Sequence, residues 1–373
     1  MEKRKYDWLI VGAGLFGSVF AHEMAKDGMR CLVIDKRGKV GGNCSCRYEH
    51  GIHLHEYGAH IVHTDKKEIW DYIDKLMPLR RYHHQVMATK DGKIYTLPFC
   101  LHTFKEIYGV STPYEALAAI TDDCEPREEI KSVEDLALST AGRRIFQTLI
   151  EGYNEKQWGT PCSELPAFIL GRIPLRYTYE TSYYNVEYVG LPKDGDYNTL
   201  FHRLLEGCDV KLDTPFEPSM LDLADKTLYT GGIDAFYGYK YGRLGYRSLE
   251  FVWDEGDVSQ GCAVMNCTGT EVPYTRIIEH NFFNSQAGSK VVHSYELPIA
   301  YDGKNEPIYP INTEANNALY AKYAELAKQE KGVFFGGRLG SYSYYAMDTC
   351  IDAALKLANS EKWARTMSRC FRQ

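Results

Sequence analysis

A strand-like run that ends in three spaced glycines constrains the fold of this chain more than any other feature. Residues 6–11 read Tyr-Asp-Trp-Leu-Ile-Val. The glycines that follow, Gly12, Gly14 and Gly17, have the spacing Gly-x-Gly-x-x-Gly and precede a helix-like stretch. In this arrangement the first glycine permits a tight turn, the second lets the backbone approach a pyrophosphate, and the third lets a helix pack on the strand. The segment therefore predicts a dinucleotide-binding β-α-β unit, with phosphates at a helix N-terminus.

The residues after this turn extend the unit and indicate which dinucleotide it binds. A second apolar run, Cys31–Ile34, ends at Asp35, about 20 residues after the first glycine, where an acid meets a ribose hydroxyl. Gly41 and Gly42 follow shortly and resemble the extended fingerprint of FAD proteins rather than that of simple NAD dehydrogenases. Three spaced glycines alone could be an ordinary strand-to-helix turn, but the complete unit argues against it. We therefore predict FAD as the cofactor.

Composition excludes some function classes. With 373 residues and 44% hydrophobic content, the chain is long enough for roughly two to three domain-sized units with buried cores. A net charge of −7 without a long Lys or Arg run argues against nucleic-acid and membrane-surface functions. The apolar run Leu9–Ala21 is too short for a membrane span, and the eleven irregularly spaced cysteines match no zinc pattern. We expect a cytoplasmic protein with reduced thiols and no metal site.

Periodicity predicts the middle of the chain. Helical spacing at Lys66–Leu76 and Pro113–Trp158, the latter amphipathic at Thr140–Tyr153, predicts a helical insertion after the nucleotide unit. β-formers and aromatic residues dominate Arg172–Tyr188 and Leu244–Val264, which predicts strands of a second sheet.

Two later segments predict a return to the nucleotide-binding domain. Lys226–Gly232 reads as a short strand, and Gly332–Arg338 combines a strand with a glycine pair before a predicted helix at Met347–Ala358. The predicted fold class is α/β, with a Rossmann-like FAD-binding domain, a helical insertion domain and a second antiparallel sheet domain. We predict that the FAD-binding domain spans residues 1–80 with about 205–243 and 315–373, the helical domain 81–170, and the sheet domain 171–204 and 244–314.

Four longer motifs resemble one family closely. Gly152–Gly159, Glu164–Phe168, Arg172–Arg176 and Val272–His280 are similar, in the same order, to motifs of the bacterial UDP-galactopyranose mutases. The resemblance implies an isomerase that interconverts UDP-galactopyranose and UDP-galactofuranose, for galactofuranose biosynthesis, with no net redox change. It also implies that reduced FAD attacks the anomeric carbon through N5 and forms a covalent flavin-sugar adduct. Bacterial relatives form homodimers, so a homodimer is expected.

The resemblance also assigns roles to individual residues. Arg172, on a mobile lid, and Arg276 would bind the departing diphosphate, because guanidinium groups meet phosphate as charged bidentate forks. His63 would lie near flavin N5 and the sugar. The substrate-binding residues that it implies are Tyr153, Asn154, Trp158, Tyr183, Arg247, Asn266, Tyr309, Tyr344 and His84. The cofactor-binding residues from the fingerprint and the resemblance are Gly12, Gly14, Phe16, Gly17, Asp35, Lys36, Gly42, Asn43, His60, Ile61, Arg338 and Met347.

The pocket departs from the family pattern at several positions. Ala346 stands where relatives commonly carry Asp, His84 where close relatives often carry Asn, and Asn154 where Thr is common; Cys100–His102 replaces Asn-Met-Asn. A changed hydrogen-bonding partner can reject the old substrate. UDP-galactopyranose is the leading substrate, and a dTDP-linked, 6-deoxy or N-acetylated hexopyranose is the main alternative.

Two other function classes stay open. An amine-oxidase-like flavoprotein oxidoreductase shares the N-terminal fingerprint and would oxidise its substrate at each turnover. A non-catalytic nucleotide-sugar binding protein is a third possibility, but the presence of both Arg172 and Arg276 beside the flavin fingerprint argues against it.

Overall fold

The computed structural model describes residues 5–172 and 175–370. In chain order its strands are β1 (Tyr6–Val11), β2 (Cys31–Ile34), β3 (Cys46–Glu49), β4 (Ile52–His55), β5 (Val62–Thr64), β6 (Leu79–Arg81), β7 (Val86–Lys90), β8 (Lys93–Leu97), β9 (Tyr188–Pro192), β10 (Asp209–Lys211), β11 (Ala224–Tyr229), β12 (Tyr246–Gly256), β13 (Val264–Cys267), β14 (Arg276–Glu279), β15 (Val291–Ala300), β16 (Tyr309–Pro310) and β17 (Val333–Phe335).

The helices, also in chain order, are α1 (Leu15–Lys26), α2 (Lys67–Leu76), α3 (Leu101–Tyr108), α4 (Pro113–Asp123), α5 (Val133–Thr140), α6 (Arg143–Ile145), α7 (Glu151–Trp158), α8 (Asn198–Leu204), α9 (Ile233–Phe236), α10 (Glu314–Ala327), α11 (Gly337–Gly340) and α12 (Met347–Cys370). Short 3-10 helices lie at Gly42–Cys44, Ala167–Arg172, Pro218–Leu223 and His280–Phe283, and a π-helical turn lies at Phe146–Ile150.

The nucleotide-binding sheet consists, within the described residues, of five parallel strands in the order β10-β2-β1-β11-β17. Leu9 and Ile10 on the central strand are fully buried, and α1 packs against α12. Because all five strands run the same way, the loops after β1, β2, β11 and β17 emerge at one edge, where such sheets bind dinucleotides. The α/β class is confirmed, and so are the strands predicted within 31–34, 226–232 and 332–338.

A second sheet of seven strands, ordered β16-β12-β15-β14-β13-β7-β8 in the described part of the chain, carries polar side chains of the candidate pocket. Its pairs are antiparallel except β13 with β7. The register pairs Asn266 of β13 with Arg276 of β14, and Arg276 with Glu296 of β15. Since paired residues present their side chains on one face, this row brings an amide, a guanidinium and a carboxylate together. The strands predicted within 244–264 are confirmed.

The predicted helical stretch 113–158 is helical for much of its length but is interrupted. Gly142 has a φ of 84° and precedes α6, so the amphipathic helix predicted for 140–153 begins only after it. The chain then stays helical through the π-helical turn to the end of α7. π-helical turns are frequent at functional sites, and this one leads directly into the helix that carries Tyr153 and Trp158.

The strands predicted within 172–188 are wrong for the described residues of that stretch. No strand is formed between residues 175 and 187; β9 follows and pairs with β5 and β6 in a small sheet. The backbone bonds of the stretch go to scattered partners, as when Tyr183 N donates to His84 O at 2.8 Å. Its aromatic side chains pack against a hydrophobic core instead of alternating across a ladder.

The division into three domains stays a prediction. β7 and β8, from the segment predicted as mainly helical, complete the seven-stranded sheet. No helix among the residues described here combines the length and the apolar character needed to cross a bilayer.

Candidate functional site

The turn after β1 closes so tightly that two of its glycines cannot carry a side chain. Gly12 has a φ of 109°, and a Cβ at this position would overlap Thr230 Oγ1. A Cβ on Gly17 would overlap the carbonyl oxygen of Gly12, so α1 lies directly on the turn. The glycine spacing predicts this geometry.

The remaining glycine of the motif faces a second glycine turn. Gly41 N donates to Ala13 O at 2.9 Å, and this bond ties the two turns together. A Cβ on Gly14 would meet nothing closer than Gly42 Cα, 3.8 Å away. Gly14 is the N-cap residue of α1, and no side chain caps this helix. The open space beside bare backbone and free N–H groups fits a pyrophosphate.

Asp35, Lys36 and Asn43 lie near the same edge with partners of their own. Asp35 is buried and accepts hydrogen bonds from two backbone N–H groups, each at 2.8 Å. Lys36 pairs with Glu306 at 2.7 Å, and Asn43 Oδ1 accepts from Arg37 at 3.4 Å. Because each carboxylate oxygen can accept more than one hydrogen bond, Asp35 keeps capacity for a ribose hydroxyl.

The chain returns to this edge after β17. The backbone at Gly336 approaches the ring of Phe16 so closely that a Cβ would overlap it. Phe16 and Met347 are both buried in the core that α1 and α12 share. Met347 begins α12, so the predicted helix is confirmed and continues to Cys370, beyond the predicted end.

The loop between β4 and β5 carries His60. Its Nδ1 lies 2.8 Å from Gly58 O. Burial, together with the nearby charges of Arg338 and Arg276, lowers the pKa of His60 to about 4. The ring is therefore neutral at neutral pH, and two cations lie close enough to act on it.

His63 belongs to a stack of three rings. Its Nδ1 lies 2.9 Å from the carbonyl oxygen of the buried Ile61, and its ring centroid lies 3.9 Å from that of Tyr184. Tyr184 in turn stacks on His84, with centroids 5.4 Å apart. Burial, followed by the charges of His63 and Arg276, lowers the pKa of His84 to about 3. Its buried Nδ1 has no hydrogen-bond partner among the described residues.

Arg276 and Glu296 form an ion pair at the centre of the seven-stranded sheet. Arg276 Nε lies 2.6 Å from Glu296 Oε2, and the carboxylate is almost fully buried while the guanidinium keeps about a quarter of its exposure. Burial raises the pKa of Glu296, and Arg276 opposes that rise. Although burial acts to lower the pKa of Arg276, Glu296 raises it. Because Glu296 engages Nε, the Nη groups of Arg276 are the charged donors that can bind a ligand.

Aromatic side chains surround this guanidinium. Tyr153, Tyr183 and Tyr309 all interact with its charge. Burial raises the pKa of Tyr153 and of Tyr309 to about 12, with the guanidinium acting in the opposite direction, so both hydroxyls remain protonated donors. Tyr309 stacks on Tyr344 at 5.8 Å between centroids, and Trp158 lies 6.4 Å from Tyr309.

Arg338 is a second cation beside this wall. Its guanidinium donates to Tyr345 O at 2.7 Å and to Ile308 O at 3.2 Å. The guanidinium carbon lies 5.3 Å from the ring centroid of Tyr309 and 5.1 Å from that of Tyr344. Cation-π attraction and the two carbonyls therefore fix its position.

Two predicted asparagines differ in how they are held. Asn266 is buried, and its Oδ1 has no partner in the part of the chain described. An acceptor of this kind fits a ligand N–H or hydroxyl donor. Asn154 Nδ2 instead donates to Ile150 O at 2.8 Å, in the π-helical turn.

The buried Arg247 has its described contacts with helix α7. Its Nε donates to Gln157 O at 3.0 Å and its Nη2 to Lys156 O at 3.3 Å. Burial lowers the pKa of this guanidinium. A cation on the last carbonyls of a helix is favourable, so Arg247 anchors the end of the helix that carries Trp158.

The side chain of one predicted site residue is not described, and two residues of the site were not predicted. The side chain of Arg172 is outside the described part of the chain. Glu296 and Tyr184 were missed. A lone acid in an apolar, aromatic strand pattern signals Glu296, whereas nothing in the sequence distinguishes Tyr184 from its neighbours.

An apolar cavity of about 70 Å³ adjoins Trp158 and Tyr344, between the segment 158–169 and residues 310–313.

Comparison with known sequences finds one family. The UDP-galactopyranose mutase family profile matches residues 148–344, and the profile of NAD(P)-binding Rossmann-like domains matches residues 10–76. The chain is 39% identical over 363 residues to a probable UDP-galactopyranose mutase of Klebsiella pneumoniae, covering 94% of this chain and 93% of that one. It is 34% identical to a dTDP-fucopyranose mutase of Escherichia coli, covering 94% and 97%.

Solved structures share the fold at low sequence identity. A crystal structure of reduced UDP-galactopyranose mutase superposes with a TM-score of 0.72 at 12% identity, covering 95% of this chain and 93% of that one. A putrescine oxidase bound to putrescine superposes with a TM-score of 0.58 at 13% identity, covering 95% and 98%.

Proposed function

Because this chain belongs to the UDP-galactopyranose mutase family and is therefore an isomerase, we propose that it interconverts UDP-galactopyranose and UDP-galactofuranose with reduced FAD as its cofactor. One observation carries the proposal: a charged guanidinium, Arg276, stands between a buried carboxylate and a wall of protonated tyrosines, close enough to His60 to shift its pKa. Such a site suits a nucleoside diphosphate leaving group next to a redox ring.

In this proposal the two glycine turns hold the FAD. The backbone at Gly12, Gly14 and Gly42 binds the pyrophosphate, and Gly17 lets α1 reach it. Asp35 accepts from the adenosine ribose, with Lys36 and Asn43 beside it. His60, Ile61, Phe16, Arg338 and Met347 line the isoalloxazine. When bound and reduced, the flavin supplies a nucleophile for the anomeric carbon and recovers its electrons before product leaves.

Positive charge on this chain handles the diphosphate. Arg276, held by Glu296 from behind, directs its unused N–H groups to the phosphates as the glycosidic bond breaks. Tyr183, Tyr309 and Tyr344 donate their hydroxyls to the same oxygens. Arg172, whose side chain lies outside the described part of the chain, is proposed to add a second guanidinium.

The remaining residues bind the base and the sugar. Tyr153 stacks on the base, and Trp158 lies on the lid side of the site. Asn266 accepts a hydrogen bond from the ligand through its Oδ1, which has no partner in the described chain. Asn154 and Arg247 keep α7 in place. His84, which burial keeps neutral, and His63 face the sugar, and the ring of Tyr184 stacks between them.

A second candidate is the same ring contraction on a dTDP-linked 6-deoxyhexose. It is favoured by the 34% identical relative that is named a dTDP-fucopyranose mutase and by Ala346, which follows Tyr344 and Tyr345 in the sequence and stands where relatives commonly carry Asp. The proposal also includes a cytoplasmic location and a homodimer. Light scattering coupled to size exclusion tests the homodimer directly.

The deciding experiment is product analysis by NMR. FAD-loaded, dithionite-reduced protein is incubated anaerobically with UDP-galactofuranose, and in parallel with dTDP-fucofuranose. We expect UDP-galactopyranose from the first, and no activity from the oxidised enzyme. Ring isomerisation of the dTDP sugar alone would replace the proposed substrate by the second candidate. Stoichiometric oxidation of the sugar with electron transfer to an acceptor would overturn the mutase assignment in favour of an oxidoreductase.

Two arginine variants provide the matched control. Arg276→Gln removes the pocket guanidinium and should lower kcat about 100-fold or more, the usual cost of one oxyanion donor. Arg243→Gln removes an exposed guanidinium that stacks on Tyr239, and its kcat should equal that of the wild type.

A further inference from the structure

Lys156 on α7 is a half-buried ammonium whose three hydrogen bonds all go to backbone carbonyls. Its Nζ donates to Cys267 O at 2.9 Å, to Tyr274 O at 3.1 Å and to Val272 O at 3.2 Å. Among the described residues the charge of Glu271 acts on Lys156, but the two form no ion pair. Three donors therefore meet three acceptors, so the group acts as a three-point clamp rather than as half of a salt bridge.

The three carbonyls belong to the connection between β13 and β14. Cys267 ends β13 immediately after Asn266, and Tyr274 lies two residues before Arg276, which begins β14. The ammonium thus holds both ends of the loop that joins the unpaired amide of Asn266 to the pocket guanidinium.

Helix α7 approaches the same loop at a second point. A Cβ on Gly152 would lie 2.5 Å from Thr268 O, so only glycine allows the present distance between helix and loop. Thr268 Oγ1 also donates to Thr148 O at 2.8 Å, which ties the start of the loop to the π-helical turn. This second attachment does not involve Lys156.

We propose that Lys156 is a positioning residue that sets the distance between Tyr153, on α7, and the Asn266–Arg276 pair, on the sheet, and thereby the width of the nucleotide site. The inference rests on the proposed function, since it takes those residues to grip a nucleoside diphosphate. β14 is hydrogen-bonded on both sides, to β13 and β15. Loss of the clamp therefore displaces the helix and not Arg276.

This asymmetry predicts which kinetic constant changes. Tyr153 and Asn266 act on the nucleotide in the ground state and the transition state alike, so their misplacement raises KM with little change in kcat. A lysine that only stabilised the fold would lower the melting temperature and leave KM alone.

The test uses the FAD-loaded full chain with Lys156→Met, which keeps the stem and removes the donors, and Lys156→Arg, which keeps charge and donors. Lys90→Met is the matched control, because Lys90 donates to a single carbonyl, Gln147 O, at an exposed site. UDP affinity is measured by calorimetry on the oxidised holoenzyme, KM and kcat on the reduced enzyme, and the FAD spectrum and melting temperature on both.

For Lys156→Met we expect KM and the UDP Kd to rise about tenfold, kcat to change less than about threefold, and the FAD spectrum to stay unchanged. Lys156→Arg should recover most of the affinity, and Lys90→Met should match the wild type. A lower melting temperature with unchanged KM and Kd would overturn the inference. So would a loss confined to kcat.

A second variant covers the case in which Lys156→Met does not fold. Gly152→Ala forces the helix away from Thr268 without touching the ammonium, and it should raise KM and Kd in the same way. Unchanged constants in that variant would refute the positioning role. If the wild type itself binds no UDP, the proposed function fails, which is a distinct outcome from a Lys156→Met variant that binds UDP as well as the wild type does.

Discussion

The dinucleotide end and the sugar end of this pocket are built by opposite means. At the dinucleotide end the site is bare backbone, made by glycines and one acid within a single β-α-β unit, and Asp35 already accepts two backbone hydrogen bonds. At the sugar end the site is made of side chains from distant segments, and two of them keep buried polar atoms without a hydrogen-bond partner in the described chain, His84 Nδ1 and Asn266 Oδ1.

This difference indicates which end carries the free-energy cost of unsatisfied polar atoms. A buried polar atom without a partner costs about 1–3 kcal/mol, so the sugar end is destabilised until a ligand satisfies it. The dinucleotide end keeps its shape through the backbone bond between its two glycine turns, so we expect it to change little on binding. Cofactor binding should therefore be most sensitive to substitutions that fill the site. Substrate binding should be most sensitive to substitutions that change charge or hydrogen bonding.

The largest expected effect comes from filling the space between the glycine turns. Gly14→Ala places a methyl group there without a clash inside the protein, because the nearest atom lies 3.8 Å away and its φ of −78° suits any residue. The fold should survive while the methyl group excludes the pyrophosphate. FAD affinity should fall about 100-fold or more, the cost of losing charge-assisted hydrogen bonds worth about 3 kcal/mol. Fluorescence titration of FAD into the apoprotein measures this.

Gly256→Ala is its control, since a methyl group there also fits without a clash, with Val258 N the nearest atom at 3.9 Å. A Gly14→Ala protein that retained wild-type FAD affinity would mean that the pyrophosphate does not pass between the two turns.

At the sugar end, the charge on Glu296 can be removed without changing its shape. Glu296→Gln leaves Arg276 without its buried counter-charge, and breaking such a pair typically costs about 3–5 kcal/mol. A bound diphosphate would then replace the missing anion. We expect a lower melting temperature without ligand, a larger stabilisation by UDP than in the wild type, and at least about tenfold lower kcat.

Thermal unfolding with and without UDP measures the effect. Glu325→Gln breaks an exposed pair with Lys328 and should change neither quantity. If UDP raises the melting temperature equally in the wild type and in Glu296→Gln, then Arg276 does not bind the diphosphate.

The two ends also differ in how far the sequence predicts them. The β-α-β unit and Asp35 could be predicted because spacing within one short segment determines the contacts. Arg276 could be assigned only through family resemblance, and Glu296 was missed although it is a lone acid in an apolar strand pattern, because their proximity depends on the register between β14 and β15. The strand prediction at 172–188 was wrong because those aromatic residues pack against a hydrophobic core rather than in a ladder.

A smaller effect concerns acid stability. Burial lowers the pKa of His55 and His84 to about 3 and that of His60 to about 4. Between those values and the ordinary pKa of about 6.5, the unfolded chain binds protons that the folded chain excludes, so stability falls as the pH falls. His84→Asn should reduce this slope by up to about 1.4 kcal/mol per pH unit. Denaturant unfolding at pH 7, 6 and 5 measures it.

The exposed His202 provides the comparison, because His202→Asn should leave the slope unchanged. If His84→Asn unfolds with the wild-type slope, then folding does not lower the pKa of His84, and burial does not keep this ring neutral in mild acid.

The smallest expected effect tests whether Asn154 marks a changed substrate. Asn154 Nδ2 donates to Ile150 O, four residues earlier in the helix, and a threonine hydroxyl can donate to that same carbonyl. Asn154→Thr should therefore keep the π-helical turn and change the affinities for UDP and dTDP by less than about threefold each. Asn154→Ala removes the side-chain donor to this carbonyl and should weaken both nucleotides equally. If the ratio of UDP to dTDP affinity instead changes about tenfold in Asn154→Thr, then this amide discriminates between the bases. The sugar end of the pocket would then be the part of the chain that distinguishes it from its relatives.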